Sequence, residues 1–140
     1  MENIKIKFET ANLAKLKGFD EFNRCCDSGY NPNTGKIIES QIWDMICNVK
    51  ESVGRPTQSL LQKWLRDEHN IDIQVICNHS EKLGKHYLLG IIYIINNQVE
   101  SFIIKETDVN IDYVNKMFIT YEEALEIGLY ESLKLINNEE

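Results

Sequence analysis

Three histidines and four cysteines are the residues here best suited to catalysis or metal binding: His69, His79, His86, Cys25, Cys26, Cys47 and Cys77. A thiol beside an imidazole is the simplest nucleophile and base such a set offers. The spacing does not build one. No C-x-x-C pair occurs, the adjacent Cys25 and Cys26 cannot readily share one tetrahedral site, and Cys77-Asn78-His79 is a lone C-x-H. Phosphate loops, G-x-S-x-G elbows, H-E-x-x-H helices and calcium loops have no counterpart in the chain. The sequence therefore predicts no catalytic residue, no metal site and no cofactor, and the protein is read as a non-enzyme. The cysteines are expected to be buried thiols. His69 falls where a helix should end, a place that suits a cation. His79 and His86 flank the polar stretch from Asn78 to His86 and are expected in solvent.

The remaining candidate is a set of polar side chains on one predicted helix. Gln58, Gln62 and Arg66 stand at i, i+4 and i+8, with Lys63 beside them. Spacing of this kind puts them on one helix surface. Polar groups with one or two positive charges suit contact with a partner or with a nucleic-acid backbone. Overall charge argues against nucleic acid, whose binding rests largely on neutralising phosphates with Lys and Arg. The net charge is −7, and residues 56–140 carry all of the acidic excess.

Positioning those residues needs only an ordinary core. The 140-residue chain is 43% hydrophobic and 26% charged, values of a globular domain. Its length matches one domain, taken as 1–140. The N-terminus lacks the apolar segment of a secretory signal, and the longest apolar run, Tyr87 to Ile95, is too short to span a bilayer. The expectation is a protein of the cytoplasm with no membrane contact. Disorder is expected only at the ends, Asn137 to Glu140 above all.

Element signals run along the whole chain. Glu9 to Lys17 reads as a short helix, with Thr10 as a candidate cap, Gly18 as its left-handed terminator and Phe19 as the apolar residue beyond. The cluster Asn31-Pro32-Asn33-Thr34-Gly35 is a turn and suggests a hairpin. Ile42 to Val49 fits helix or strand, and helix is favoured. Thr57 caps a second clear helix whose stripe is Leu60, Leu61, Trp64 and Leu65, and Asn70 ends it. Ile71, Ile73, Val75 and Cys77 alternate with polar residues, as in a half-buried strand, with Ile76 breaking the polar face. Tyr87 to Ile95 is apolar at both parities and reads as a central strand covered on both sides. Asn96-Asn97 turns the chain into a third strand, Val99 to Lys105, and Met117 to Ile119 is a further short strand or lead-in. Thr120 and Glu123 form a capping box for a last helix. Gly128 lies on its apolar stripe, which suggests close packing, and its glutamates read as a solvated face. The fold class is α+β: a small antiparallel sheet flanked by helices, with a helix, three strands, helix part preceded by a short helix and a hairpin.

That order is shared with double-stranded RNA-binding domains, which place lysines at the start of the last helix. Thr120-Tyr121-Glu122-Glu123 is acidic there and would repel phosphate. A more specific likeness lies in three segments. Pro56 to Arg66 continuing through His69-Asn70-Ile71, Tyr121 to Leu129 with Leu133 to Ile136, and Leu13 to Glu21 resemble a family of small uncharacterised proteins. These come from phages and prophages of gut Bacteroidetes, crAss-like phages included. The family has a small residue where Arg55 precedes the proline, and residues 36–54 match nothing in it. The resemblance implies a setting: an accessory protein in the cytoplasm of a host cell, binding a host or phage protein. A nucleic-acid accessory role and a place in the virion are the alternatives. An apolar or tyrosine-rich patch near Tyr113 and Met117 would favour protein binding. The sequence leaves the oligomeric state open.

Overall fold

The computed structural model describes residues 4–19, 26–46, 52–81, 84–95, 97–104 and 120–136. The described residues form four helices and two antiparallel three-stranded sheets, an α+β fold. The elements are α1 (Phe8–Leu16), β1 (Gly29–Tyr30), β2 (Ile37–Ile38), α2 (Ser40–Ile46), β3 (Val53–Gly54), α3 (Gln58–His69), β4 (Ile71–Ser80), β5 (Gly84–Ile95), β6 (Gln98–Ile104) and α4 (Tyr121–Leu133). No helix among the described residues is long and apolar enough to cross a membrane. Cys25, Cys47, Tyr113, the Met117–Ile119 lead-in and the 137–140 end lie outside the described residues, as does Lys105 at the end of the third strand.

The first sheet, in the order β2-β1-β3, is built around one tryptophan. Asn31 turns β1 into β2: its carboxamide oxygen accepts from the N–H of Asn33 and of Thr34, and Gly35 follows with φ +74. Trp43 of α2 is fully buried, and its indole N–H donates to the Cys26 carbonyl at 3.1 Å. The ring packs against Gly29, where an added Cβ would fall 2.1 Å from an indole carbon. Only glycine fits there.

The second sheet has the order β4-β5-β6. Thr57 caps α3 by accepting from the Leu60 N–H, and Asn70 closes it at φ +55, a left-handed geometry that asparagine tolerates. Thr120 caps α4 the same way through the Glu123 N–H. α4 lies on one face of this sheet, with Ala124, Leu125, Leu129 and Leu133 buried. Leu61 and Leu65 of α3, Ile71 and Ile73 of β4, and Leu89 and Ile91 of β5 complete the same core with Ile6, Ala11 and Ala14.

Three expectations need correction. Thr10 does not cap α1. The helix starts at Phe8, Lys7 stands at the cap without a side-chain bond, and Thr10 is buried inside the first turn. β5 is central, but cover on its second face is partial: Leu88, Gly90 and Ile92 are half-buried and Ile94 is exposed. Cys77 is exposed, not buried. A 13-residue helix is about 20 Å long and a ten-residue strand about 33 Å, so α4 cannot cover β4 end to end.

Candidate binding surface

The four candidate side chains on α3 do not form one exposed face. Gln58 is buried: its carboxamide donates to the Glu122 carbonyl at 2.9 Å and to the Glu126 carboxylate at 3.1 Å. Gln62 turns to the sheet and donates to the Ile73 carbonyl at 3.2 Å. Lys63 and Arg66 are exposed. Lys63 is paired with Asp67 one turn on, and its ammonium holds the Asp67 carboxyl below its ordinary range. The i, i+4, i+8 alignment is real, but α3 is wedged between α4 and the edge of β4, so two of the three aligned side chains face protein.

Gln58 belongs to a polar network that sequence patterning missed. Glu126, read as part of a solvated face, is buried on the side of α4 that meets the N-terminal segment. Besides Gln58 it accepts from the Lys7 N–H at 3.0 Å, and so caps α1 from 119 residues away. The segment before α1 is held by two backbone bonds, Ile6 N–H to the Pro56 carbonyl and Gln58 N–H to the Ile4 carbonyl. The buried Tyr30 hydroxyl donates to the Ile6 carbonyl. Burial pushes that phenol up, against the pull of Arg55, whose guanidinium lies 5.9 Å from the ring centre. Arg55 also donates to the Ser28 hydroxyl at 3.1 Å. Lys5 pairs with Asp27 at 2.6 Å and lowers its carboxyl. Apart from the buried Arg55 Nε, which has no hydrogen-bond partner among the described residues, the donors and acceptors named here bind one another, which is the arrangement of a structural staple.

The histidines do not converge. His69 sits edge-on to Trp64, 4.5 Å between ring centres, and burial pushes its imidazole down against the opposing charge of Glu68. His86 is buried on β5, contrary to the expectation of a solvated loop, with Nδ1 3.1 Å from the Gly84 carbonyl. His79 is exposed on β4. Among the described residues no three His, Cys, Asp or Glu side chains gather as metal ligands.

The distinctive surface is instead apolar. Residues alternate across a strand, so Leu88, Gly90, Ile92 and Ile94 of β5 share the face turned away from Leu89 and Ile91. Register puts Ile76 of β4 opposite Leu88, and Val99 of β6 opposite Ile94. Ile76 is 48% exposed, Ile94 50% and Val99 69%. The strip from Leu88 to Ile94 is about 20 Å long at the rise of a strand. Ile42 and Met45, one turn apart on α2, form a second exposed apolar pair. The signal for the strip was present in the sequence, in the double-sided hydrophobicity of Tyr87 to Ile95 and in Ile76 on an otherwise polar face.

Compared with protein-family models, with curated proteins and with solved structures, the chain matches none.

Proposed function

We propose that this chain is a phage-type accessory protein that acts by binding a protein of the host cell, without catalysis. The observation that carries the reading is the apolar strip on the outer face of the second sheet. Exposed apolar side chains at both ends of one sheet face, Ile76 at one and Ile94 with Val99 at the other, on an acidic protein are what a protein contact can use. The resemblance of the Pro56–Ile71 and Tyr121–Ile136 segments supplies the phage setting. Nucleic acid is the weaker alternative, because the α3 face keeps only Arg66 and a Lys63 already held by Asp67.

The test is a tagged capture from host extract, one half treated with nuclease, with wild type beside an Ile94→Glu/Val99→Glu double variant. Both sites are exposed, so the variant should fold. The reading expects a stoichiometric host protein that survives nuclease and is lost with the double variant. Capture of nuclease-sensitive material alone, or a partner indifferent to the two glutamates, would overturn it.

A further inference from the structure

The outer edge of β4 has a composition that sheet edges normally avoid. The register of the second sheet fixes which backbone groups point there. Two residues join β5 to β6, and Ile95 opposes Gln98. In a two-residue hairpin the closing pair exchanges both backbone bonds. Ile95 and every second residue before it therefore turn their N–H and C=O towards β6. Ile92, Gly90 and Leu88 turn theirs towards β4, where they meet Asp72, Gln74 and Ile76. The odd-numbered residues of β4 are left pointing outward. The Gln62 contact agrees independently, since its carboxamide reaches the Ile73 carbonyl from outside the sheet.

α3 thus covers the edge at Ile73. Beyond it Gln74, Ile76, Cys77 and His79 are exposed, and among the described residues no strand pairs with this side of β4. Val75, Cys77 and His79 present their N–H and C=O groups there in a row. Natural edges are guarded by lysine, proline or inward charges. From Ile73 to Ser80 this strand has none of these, although Asp72 and Glu81 bracket it and the chain carries −7.

A neutral edge on a strongly acidic protein fits a second copy of the same protein. Two such edges meet antiparallel about a two-fold axis at Cys77. Cys77 then opposes its own mate, Val75 opposes His79, and every outward residue falls in a hydrogen-bonded pair. No carboxylate meets another within the paired run. We propose that two copies of this chain associate through the open half of β4 in this register, giving one continuous six-stranded sheet. The arrangement is isologous, as closed dimers are. It also joins the apolar strips of both copies on one face. The paired run is short, so the dimer is reversible. The two chains repel at long range, so salt strengthens association.

The test is sedimentation over a protein concentration series, in reducing buffer, at low and moderate salt. Mass should rise from one chain to two with concentration, and further with salt. Cys77→Ser should keep the dimer. Cys77→Lys sets two ammonium groups face to face on the axis and should weaken association by about tenfold or more. A short bis-maleimide should capture the wild-type dimer and fail with Cys77→Ser. The bis-maleimide arm stands whether or not the lysine variant folds. A monomer at every concentration would overturn the proposal. So would a dimer that ignores Cys77→Lys and is not captured through Cys77.

Discussion

Gly128→Ala sets two well-known effects against each other. In an exposed helix interior, alanine is more stable than glycine by about 1 kcal/mol. Gly128, however, lies where α4 crosses the sheet. A Cβ built on it would fall 2.7 Å from a terminal methyl of Leu89 and 2.8 Å from the Cγ2 of Ile73. Neither neighbour can step aside easily, since Leu89 is 0% exposed and Ile73 3%. Forcing one methyl into a packed core costs about 1–3 kcal/mol. Subtracting the propensity gain leaves a net loss of about 0–2 kcal/mol, centred near 1. In urea the midpoint should fall by about 0.3–1 M at unchanged slope. The Leu89→Ala background supplies the control: with the Leu89 methyls gone and only the Ile73 Cγ2 left in the way, Gly128→Ala should cost less than in the wild type, a coupling that a double-mutant cycle reads directly. If Gly128→Ala raised the midpoint in the wild-type background, the close approach of α4 to β4 and β5 would be refuted.

Two further outcomes follow from the same structure. Gln58→Leu should destabilise by about 2–4 kcal/mol, because it strips a donor from the buried Glu126 carboxylate, and Gln58→Leu with Glu126→Leu should lose less than the two single changes together, both read from urea midpoints. His69 titrates below 6.5 in the fold because burial favours its neutral form, so the unfolded chain takes up the proton first; its stabilising effect is complete above pH 6.5 and fades as pH falls through the lower folded value, and a His69→Phe variant should show a flatter midpoint between pH 8 and pH 5.

What could be read from the sequence was what depends on a few neighbouring residues. Thr57, Asn70, Thr120, Gly18 and the Asn31–Gly35 turn each act within one turn of chain, and each sits as expected. Gly128 was legible too, because a costly residue on a buried stripe needs a reason. The misses depend on long-range partners. No local pattern says that α1 is capped by Glu126, or that Lys15 of α1 and Lys17 just beyond it reach the carbonyls of Ser52 and Ile136. Periodicity aligned Gln58, Gln62 and Arg66 correctly, yet it carries no information about which neighbours α3 will meet. Cys77 was misread because alternation predicts a face, whereas burial also requires the covering helix to reach that far.

The two sides of the second sheet differ in kind, and the difference bears on how the protein can work. On the α4 side, contact is dense: a glycine lets helix and sheet approach closely, and Glu126 ties α4 to α3 and to the start of α1. The Gln58–Glu126–Lys7 network there is matched within the chain, although the buried Ser132 hydroxyl and one Glu123 carboxylate oxygen have no hydrogen-bond partner among the described residues. On the other side, Leu88 and Ile92 are half-buried while Ile76, Ile94 and Val99 are 48–69% exposed, next to an edge whose outward groups lack a strand partner among the described residues. Leaving apolar surface in water forgoes about 25 cal/mol for each Å² that could have been buried. Ile76, Ile94 and Val99 sit at positions where polar residues would pack no worse and dissolve better. The two proposed interactions, with a partner on the strip and with a second copy along β4, therefore use the outer face and the part of the β4 edge beyond Ile73, which the Glu126 network does not touch.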